Sequence, residues 1–351
     1  VIPRKGKLLA RAATRFLDRA DEAERAGFEE FLALNGEAWL DDYALFRILK
    51  ASHGERPWPE WSPEYTHRES EALAQVREQH AGKLHAIRVQ QYFFETQWSR
   101  LKTAANERGV RLFGDMPIYI ALDSADAWAH PELLRIDRDG RPDAVAGVPP
   151  DYFSADGQLW GNPLYDWDFH KNQDFRWWVD RVRHAARLYD LVRIDHFRGF
   201  EAYWAVPFGE TTARGGQWEP GPRDALFEAM ERRLGALPIV AEDLGVITPP
   251  VDALRHRHQI PGMVVLQFDV SDPDFDPRAI DPYSVCYTGT HDNDTTTGWF
   301  QGPGDDTRSE KEIAETAKIV AEKTAKKKKR DASRRAAFKE KRGRNRSKRS
   351  R

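Results

Sequence analysis

Three short apolar stretches in the second half of the chain each end in an acidic residue, and they constrain the fold more than any other feature. They lead into Asp195, Glu242 and Asp292. Apolar runs of this length, bounded by polar residues and glycine, are typical of buried strands. A carboxylate at the end of a buried strand is costly unless it is paired or used. We therefore expect the three acids to meet in one site.

Short apolar strands alternate with helices between residues 110 and 300. We predict five strands and three helices there, the strands at 110–120, 191–194, 238–241, 263–268 and 284–287 and the helices at 174–189, 223–234 and 249–256. This alternation predicts parallel βαβ units. A (β/α)8 barrel needs eight strands and carries its chemistry beyond their carboxyl ends. Five strands therefore indicate either an open sheet or a barrel that lacks some of its strands.

The two ends of the chain differ from this middle part. Residues 1–109 show helical spacing of apolar residues, including one long helix predicted over 68–107 and a Trp- and Pro-rich loop over 51–66, and we expect their aromatic side chains to form core. Residues 323–351 are strongly basic, although the net charge of the whole chain is only −2. Such a charge block is typical of disorder; nucleic-acid or membrane-surface binding and a shifted reading frame are the alternatives. The rest of the chain carries a net negative charge, which argues against nucleic acid as a partner.

The cysteine count and the N-terminus indicate where the protein works. The single cysteine, Cys286, lies in an apolar strand and is expected to be buried, and one cysteine allows no disulfide within the chain. A reducing, cytoplasmic location follows as an expectation. No apolar run is long enough to span a membrane. The chain starts with Val1, and its first residues are too interrupted for a secretory signal, so we expect that the natural N-terminus is missing.

The surroundings of the three acids suggest different roles. Cleavage of a bond between two sugars with retention of configuration needs one carboxylate as nucleophile and one carboxylic acid as proton donor. Arg193 lies two residues before Asp195, on the same face of a strand, and a cation there favours the ionised carboxylate. Glu242 follows an apolar approach without a neighbouring cation, which favours a raised pKa and an acid/base role. Asp292 lies beside His291 and is suited to bind sugar hydroxyls.

Simpler interpretations exist for each of these residues. A single acid after a strand is often a helix N-cap or a loop hydrogen-bond acceptor. Residues 290–294 (Thr-His-Asp-Asn-Asp) could also suggest a metal site, but no second cluster shows metal-ligand spacing. The Pro- and Gly-rich stretch 146–165 is expected to be a long loop. Its aromatic residues could stack on sugar rings, or they could belong to an ordered structural lid.

Six segments together carry a resemblance to a known family. They occur in the order Asp-Met-Pro-Ile-Tyr-Ile (115–120), Ala-Gly-Val-Pro-Pro-Asp-Tyr-Phe-Ser (146–154), Trp-Gly-Asn-Pro (160–163), Val-Arg-Ile-Asp-His-Phe-Arg-Gly (192–199), Ala-Glu-Asp-Leu-Gly (241–245) and Thr-His-Asp-Asn (290–293). This set resembles the amylomaltases, which are bacterial 4-α-glucanotransferases or disproportionating enzymes of the α-amylase clan. The resemblance extends from about residue 1 to about residue 300.

The resemblance implies a fold and a reaction. The fold is an α/β (β/α)8 TIM barrel with helical insertions, here without its first two strands and its last strand. Residues 1–109 become a helical insertion subdomain, 110–300 a partial catalytic barrel and 301–351 a basic, disordered tail. The reaction is retaining transfer of α-1,4-glucan segments between malto-oligosaccharides. Asp195 matches the nucleophile, Glu242 the acid/base and Asp292 the transition-state stabiliser.

The resemblance also implies how the substrate is bound. The residues that match substrate-binding positions of the family are Arg193, His291, Tyr152, Phe153, Trp160, Asp115 and Ser124. The family needs no metal and no organic cofactor. Its partners are malto-oligosaccharides, α-1,4-glucans derived from starch or glycogen, and glucose as product or acceptor, with no membrane and no nucleic acid. The alternatives are an inactive fragment, an α-glucan hydrolase of the same clan, and a non-catalytic glucan-binding remnant.

Overall fold

The protein has an α/β fold in which helices dominate the first third of the chain. Its computed structural model describes residues 2–150, 154–245, 247–270 and 275–301. These residues divide into two compact units, the first within residues 1–264 and 273–287 and the second within 265–272 and from 288 onward. The boundaries predicted after residues 109 and 300 stay a prediction.

Thirteen α-helices occur in the described residues. They are α1 (Ile2–Arg19), α2 (Glu22–Asn35), α3 (Asp41–Ser52), α4 (Pro63–Thr66), α5 (Ser70–Gln79), α6 (Ala81–Asn106), α7 (Ala125–Ala129), α8 (Trp167–Asn172), α9 (Arg176–Leu188), α10 (Asp224–Leu234), α11 (Pro249–Arg257), α12 (Leu266–Asp269) and α13 (Thr296–Gln301). A π-helical turn, Gly36–Leu40, joins α2 to α3. Within the described ranges, none of these helices combines the length and the apolar character needed to cross a bilayer.

Nine strands form three sheets in the described part of the chain. They are β1 (Phe113–Pro117), β2 (Ala144–Val148), β3 (Gln158–Pro163), β4 (Leu191–Asp195), β5 (Ala202–Pro207), β6 (Gln217–Pro220), β7 (Ile239–Ala241), β8 (Gly262–Val265) and β9 (Ser284–Tyr287). One sheet has the order β1-β4-β7, one the order β3-β2-β5-β6, and the third consists of β8 and β9.

The sheet β1-β4-β7 is parallel, as the alternation of strands and helices predicts. Asp115 of β1 lies opposite Arg193 of β4, and Ile194 lies opposite Ala241 of β7. Each predicted strand between residues 110 and 287 has an observed counterpart. Two of these predictions are wrong in their extent. The strand expected over 110–120 spans only Phe113–Pro117, and the strand expected to reach residue 268 ends at Val265, where the chain turns into α12.

The four-stranded sheet β3-β2-β5-β6 is antiparallel, and it corrects the expectation of a long loop over residues 146–165. Strand β2 pairs with both β3 and β5. Its pairing with β3 shifts register between Val145 and Gly147, where a bulge interrupts the ladder. The Pro- and Gly-rich sequence does not predict these strands, since they depend on a partner, β5, that lies about sixty residues later in the chain.

The N-terminal helices pack on aromatic side chains, as predicted. Trp58 and Trp61 are buried in a cluster that also includes Trp128 of α7. The long helix predicted over 68–107 is broken in two at His80, between α5 and α6. Gly82 lies two residues beyond the break, and glycine costs about 1 kcal/mol in a helix interior relative to alanine. Helix α6 reaches the parallel sheet region through Trp98, whose indole N–H donates to the carbonyl of Leu188.

The prediction that Cys286 is buried is wrong, because its side chain is exposed. The cysteine belongs to β9, which pairs with β8 alone among the described strands. A strand in a two-stranded sheet has few neighbours to cover its faces. An apolar sequence therefore predicts the strand here but not its burial.

Candidate active site

The carboxyl ends of β1, β4 and β7 lie at one edge of the parallel sheet. In this register Pro117, at the end of β1, lies opposite Asp195, at the end of β4. Two backbone hydrogen bonds join the ends of β4 and β7. Glu242 N–H donates to the carbonyl of Ile194 at 3.0 Å, and Phe197 N–H donates to the carbonyl of Glu242 at 3.1 Å. The first two predicted acids are therefore brought to neighbouring strand ends.

Arg193 joins the carboxylates of β1 and β4. Its Nη1 donates to Oδ2 of Asp115 at 2.6 Å, and its Nη2 lies 2.7 Å from Oδ1 of Asp195. The Arg193 side chain is 9% exposed, whereas that of Asp195 is 45% exposed. Burial by itself lowers the pKa of Arg193, but the hydrogen bond to Asp115 and the charges of Asp195 and Asp115 raise it overall. Asp195 thus lies at the solvent side of a permanently charged guanidinium.

Glu242 is held by backbone N–H groups instead of a cation. His196 N–H donates to its Oε2 at 2.8 Å, and Leu244 N–H donates to its Oε1 at 2.9 Å. Burial raises the pKa of Glu242, and the charge of Asp195 raises it further, while the two N–H donors and Arg193 oppose the change. The pKa is raised overall. A backbone hydrogen bond to each carboxyl oxygen therefore orients Glu242, and the group is more readily protonated than an ordinary glutamate.

His196, the residue after Asp195, was not predicted as part of the site. It adopts a left-handed backbone conformation with φ of 53°. Its imidazole is buried, and burial, followed by the nearby charge of Arg198, lowers the pKa of His196 to about 3. The ring meets the edge of Trp160 with centroids 4.7 Å apart. A histidine directly after a strand-end acid is a weak signal, since histidine tolerates positive φ better than most residues.

The remaining predicted site residues of the first unit fall in different places. Asp115 lies beside Arg193 as described above, and Trp160 lies on β3 against His196, with its side chain partly exposed. The hydroxyl of Ser124 accepts the N–H of Ala127 and caps α7. Among the described residues, no hydrogen bond joins Ser124 to Asp195 or Glu242. Tyr152 and Phe153 lie outside the described residues.

Asp292 and His291 belong to the second unit. His291 Nε2 lies 3.4 Å from Oδ1 of Asp292, and both side chains are exposed. Thr290 and Asn293 hold this turn, because the Thr290 hydroxyl and backbone N–H both donate to Oδ1 of Asn293, at 2.9 and 3.0 Å. The meeting of Asp292 with Asp195 and Glu242 stays a prediction.

Comparison with known proteins assigns the family. The sequence profile described as 4-alpha-glucanotransferase matches residues 1–347. The chain belongs to the 4-alpha-glucanotransferase family. It is 47% identical over 303 residues to the 4-alpha-glucanotransferase of Thermus thermophilus, covering 85% of this chain and 60% of that protein. It is 45% identical over 307 residues to that of Streptococcus pneumoniae serotype 4, covering 86% and 60%.

Solved structures of this family share the fold. The amylomaltase from Streptococcus agalactiae in complex with acarbose superposes with a TM-score of 0.80 at 38% identity, covering 91% of this chain and 64% of that one. The amylomaltase from Corynebacterium glutamicum, at 20% identity and a TM-score of 0.66, shares the fold alone. This 4-alpha-glucanotransferase family member spans about three-fifths of the length of the curated relatives it matches.

The geometry places two unlike carboxyl groups side by side. Asp195 is accessible and ion-paired, which suits attack on an electrophilic carbon. Glu242 is partly buried and its pKa is raised, which suits proton transfer to and from an oxygen. Pairs of acids whose surroundings push their protonation apart are the usual basis for acid/base assignment in glycoside chemistry.

Proposed function

We propose that the protein is a retaining 4-α-glucanotransferase that acts through a glycosyl-enzyme on Asp195. The observation that carries this proposal is the contrast between Asp195, accessible beside Arg193, and Glu242, partly buried with a raised pKa on the next strand end. Family membership supports the same reaction class.

In the first half of the reaction, the Asp195 carboxylate attacks the anomeric carbon of an α-1,4-linked glucan. The bond from that carbon to the glycosidic oxygen breaks, and Glu242 gives its proton to this oxygen, which leaves as the 4-hydroxyl of the released sugar. In the second half, the Glu242 carboxylate takes the proton of an acceptor 4-hydroxyl. The acceptor oxygen then attacks the anomeric carbon and frees Asp195, so configuration is retained.

The other predicted residues support these steps in the proposal. Arg193 fixes the orientation and charge of Asp195 and of Asp115, which lies near the donor sugar. Asp292 stabilises the oxocarbenium-like transition state, with His291 beside it. Trp160, together with Tyr152 and Phe153, contacts acceptor sugars, and Ser124 lies near the donor sugar. A flat aromatic face packs on the apolar face of a sugar ring, so Trp160 beside His196 is suited to this contact.

The substrates follow from the family. We assign malto-oligosaccharides and α-1,4-glucans derived from starch or glycogen as donors, and sugars including glucose as acceptors. The acarbose bound to the Streptococcus agalactiae amylomaltase supports an α-glucan-like ligand. The proposed mechanism uses side chains alone and calls on no cofactor.

We also infer that the parallel sheet belongs to a (β/α)8 barrel. Strands β1, β4 and β7 pair in parallel in chain order, and the helix α9 connects β1 to β4 while α10 precedes β7. Strands β8 and β9 continue the series in sequence. The other three strands would lie in the parts of the relatives that this chain does not match. The helices before residue 110 are then an insertion on that barrel.

The test is disproportionation of maltotriose. Transfer releases glucose while the number of reducing ends stays constant, because each broken linkage is replaced by a new one. An increase in reducing ends equal to the linkages broken would indicate the α-glucan hydrolase instead. Binding of maltotriose with no release of glucose would indicate a non-catalytic glucan-binding remnant.

A further inference from the structure

Asp243, the residue after Glu242, is anchored to β8 and to α11. Its Oδ1 accepts the backbone N–H of Met263, at the start of β8, at 2.8 Å. Its Oδ2 lies 3.2 Å from Nε of Arg255. Burial raises the pKa of Asp243, while the Met263 N–H and Arg255 oppose this change. One carboxylate therefore ties the end of β7 both to the next strand and to α11.

Arg255 is built into this position. Its side chain is only 6% exposed. Its Nη1 donates to the carbonyl of Ile260 at 3.2 Å, and its Nη2 lies 3.6 Å from Asp281. A buried ion pair of this kind seldom improves stability over apolar packing of the same volume, so its presence calls for another explanation.

Gly262 shows how closely Asp243 is enclosed. A Cβ atom at residue 262 would lie 2.3 Å from Oδ2 of Asp243, far inside contact distance. The backbone of the neighbouring segment therefore approaches the carboxylate directly. The Asp243 side chain has little room to take another rotamer.

We propose that Asp243 and Arg255 are positioning residues for the acid/base Glu242, an inference that rests on the proposed function. Asp243 stands between Glu242 and Leu244, and the N–H of Leu244 is one of the two donors that orient the Glu242 carboxyl. If Asp243 loses its anchor, the turn that carries Leu244 N–H moves. Glu242 is then held only through His196 N–H and can rotate out of line with the glycosidic oxygen.

The test compares two glycosyl donors that differ in whether the leaving group needs a proton. Maltotriose has a leaving oxygen that needs a proton, whereas α-maltosyl fluoride loses fluoride ion without one. We compare the first turnover of both donors for the unsubstituted protein, Asp243→Asn, Arg255→Lys and Arg255→Gln. The matched control is Arg257→Gln, which lies on α11 as Arg255 does and breaks an exposed ion pair with Asp224 of α10.

We expect Asp243→Asn and Arg255→Gln to slow the first turnover of maltotriose about 100-fold, as a displacement of about 1 Å does, and to slow that of the fluoride no more than about threefold. Arg255→Lys should recover part of the loss, and Arg257→Gln should leave both rates unchanged. Thermal unfolding identifies variants that fail to fold. If Asp243→Asn fails to fold, the two glycosyl donors are compared with Arg255→Lys instead.

Two results would overturn the inference. Equal slowing of both donors would mean that Asp243 only maintains the fold, and no slowing of either donor would mean that it does not position Glu242. If the unsubstituted protein turns over neither donor, the proposed function itself fails, and the positioning role fails with it. Normal turnover with an unchanged ratio between the donors removes the positioning role alone.

Discussion

The ends of β4 and β7 lie side by side, yet they hold their carboxyl groups in opposite ways. Asp195 is accessible and lies 2.7 Å from a buried guanidinium. Glu242 is partly buried and is held by two backbone N–H groups, and its pKa is raised. Similar strand-end sequences thus produce one carboxyl group in an ion pair and one with a raised pKa because their surroundings differ. The chemical role of each acid therefore depends on its environment.

The largest expected effect comes from Asp195→Asn. An amide in place of the carboxylate cannot form the glycosyl-enzyme, so we expect transfer from maltotriose to fall by about 10⁴-fold or more. Glucose release measured at saturating maltotriose checks this, with binding of maltotriose as the control for folding. A loss below tenfold would contradict the assignment of Asp195 as nucleophile.

Glu242→Gln should have the next largest effect. Loss of a general acid and base costs about 10²–10⁴-fold, so maltotriose turnover should fall within that range. The pH–rate profile should also lose the limb that reports Glu242. A variant that keeps this limb would show that another group carries the proton.

The same variant tests the environment of Glu242 through stability. Because the pKa of Glu242 is raised above its ordinary value of 4.5, the folded state binds its proton more tightly than the unfolded state does. The stability that this proton provides is present below pH 4.5 and is lost as the pH rises through the folded pKa. The free energy of unfolding of Glu242→Gln, relative to the unsubstituted protein, should therefore increase with pH across this window. An opposite slope in denaturant titrations would contradict the raised pKa of Glu242.

Arg193→Lys should have a smaller effect on activity. A lysine keeps the charge but has one nitrogen in place of the planar guanidinium, whose two terminal nitrogens contact Asp115 and Asp195 separately, so the orientation of Asp195 is loosened. We expect a loss of about 100-fold in kcat for maltotriose. Arg187→Lys, at an exposed ion pair with Glu95, is the control and should be neutral. Equal activity of the two variants would show that charge alone suffices at residue 193.

The smallest effect at neutral pH concerns His196. The pKa of this buried imidazole is lowered to about 3, so the folded state resists its protonation. Its contribution to stability is therefore present above an unfolded pKa of about 6.5 and is lost as the pH falls toward 3, by about 1.4 kcal/mol per pH unit. His196→Asn should reduce the slope of unfolding free energy against pH in that range. His170, whose pKa is lowered to about 4, remains as the internal comparison.

The sequence by itself was enough for the parallel strands and for the position of the first two acids at their ends. These features depend on the spacing of apolar residues along the chain, which the sequence shows directly. The pairing of Arg193 with Asp195 also followed from spacing, because alternate residues of a strand share a face. The antiparallel sheet did not follow, since β2 depends on the distant β5 and its own sequence is rich in glycine and proline.

Only the tertiary structure decided how each acid is surrounded. The burial of Glu242, the left-handed His196 against Trp160, and the Asp243–Arg255 pair all join residues that are remote in the chain or depend on enclosure by several elements. A sequence records which side chains are available and which face of a strand they share. The desolvation and the backbone donors that set protonation arise only when separate elements are packed together.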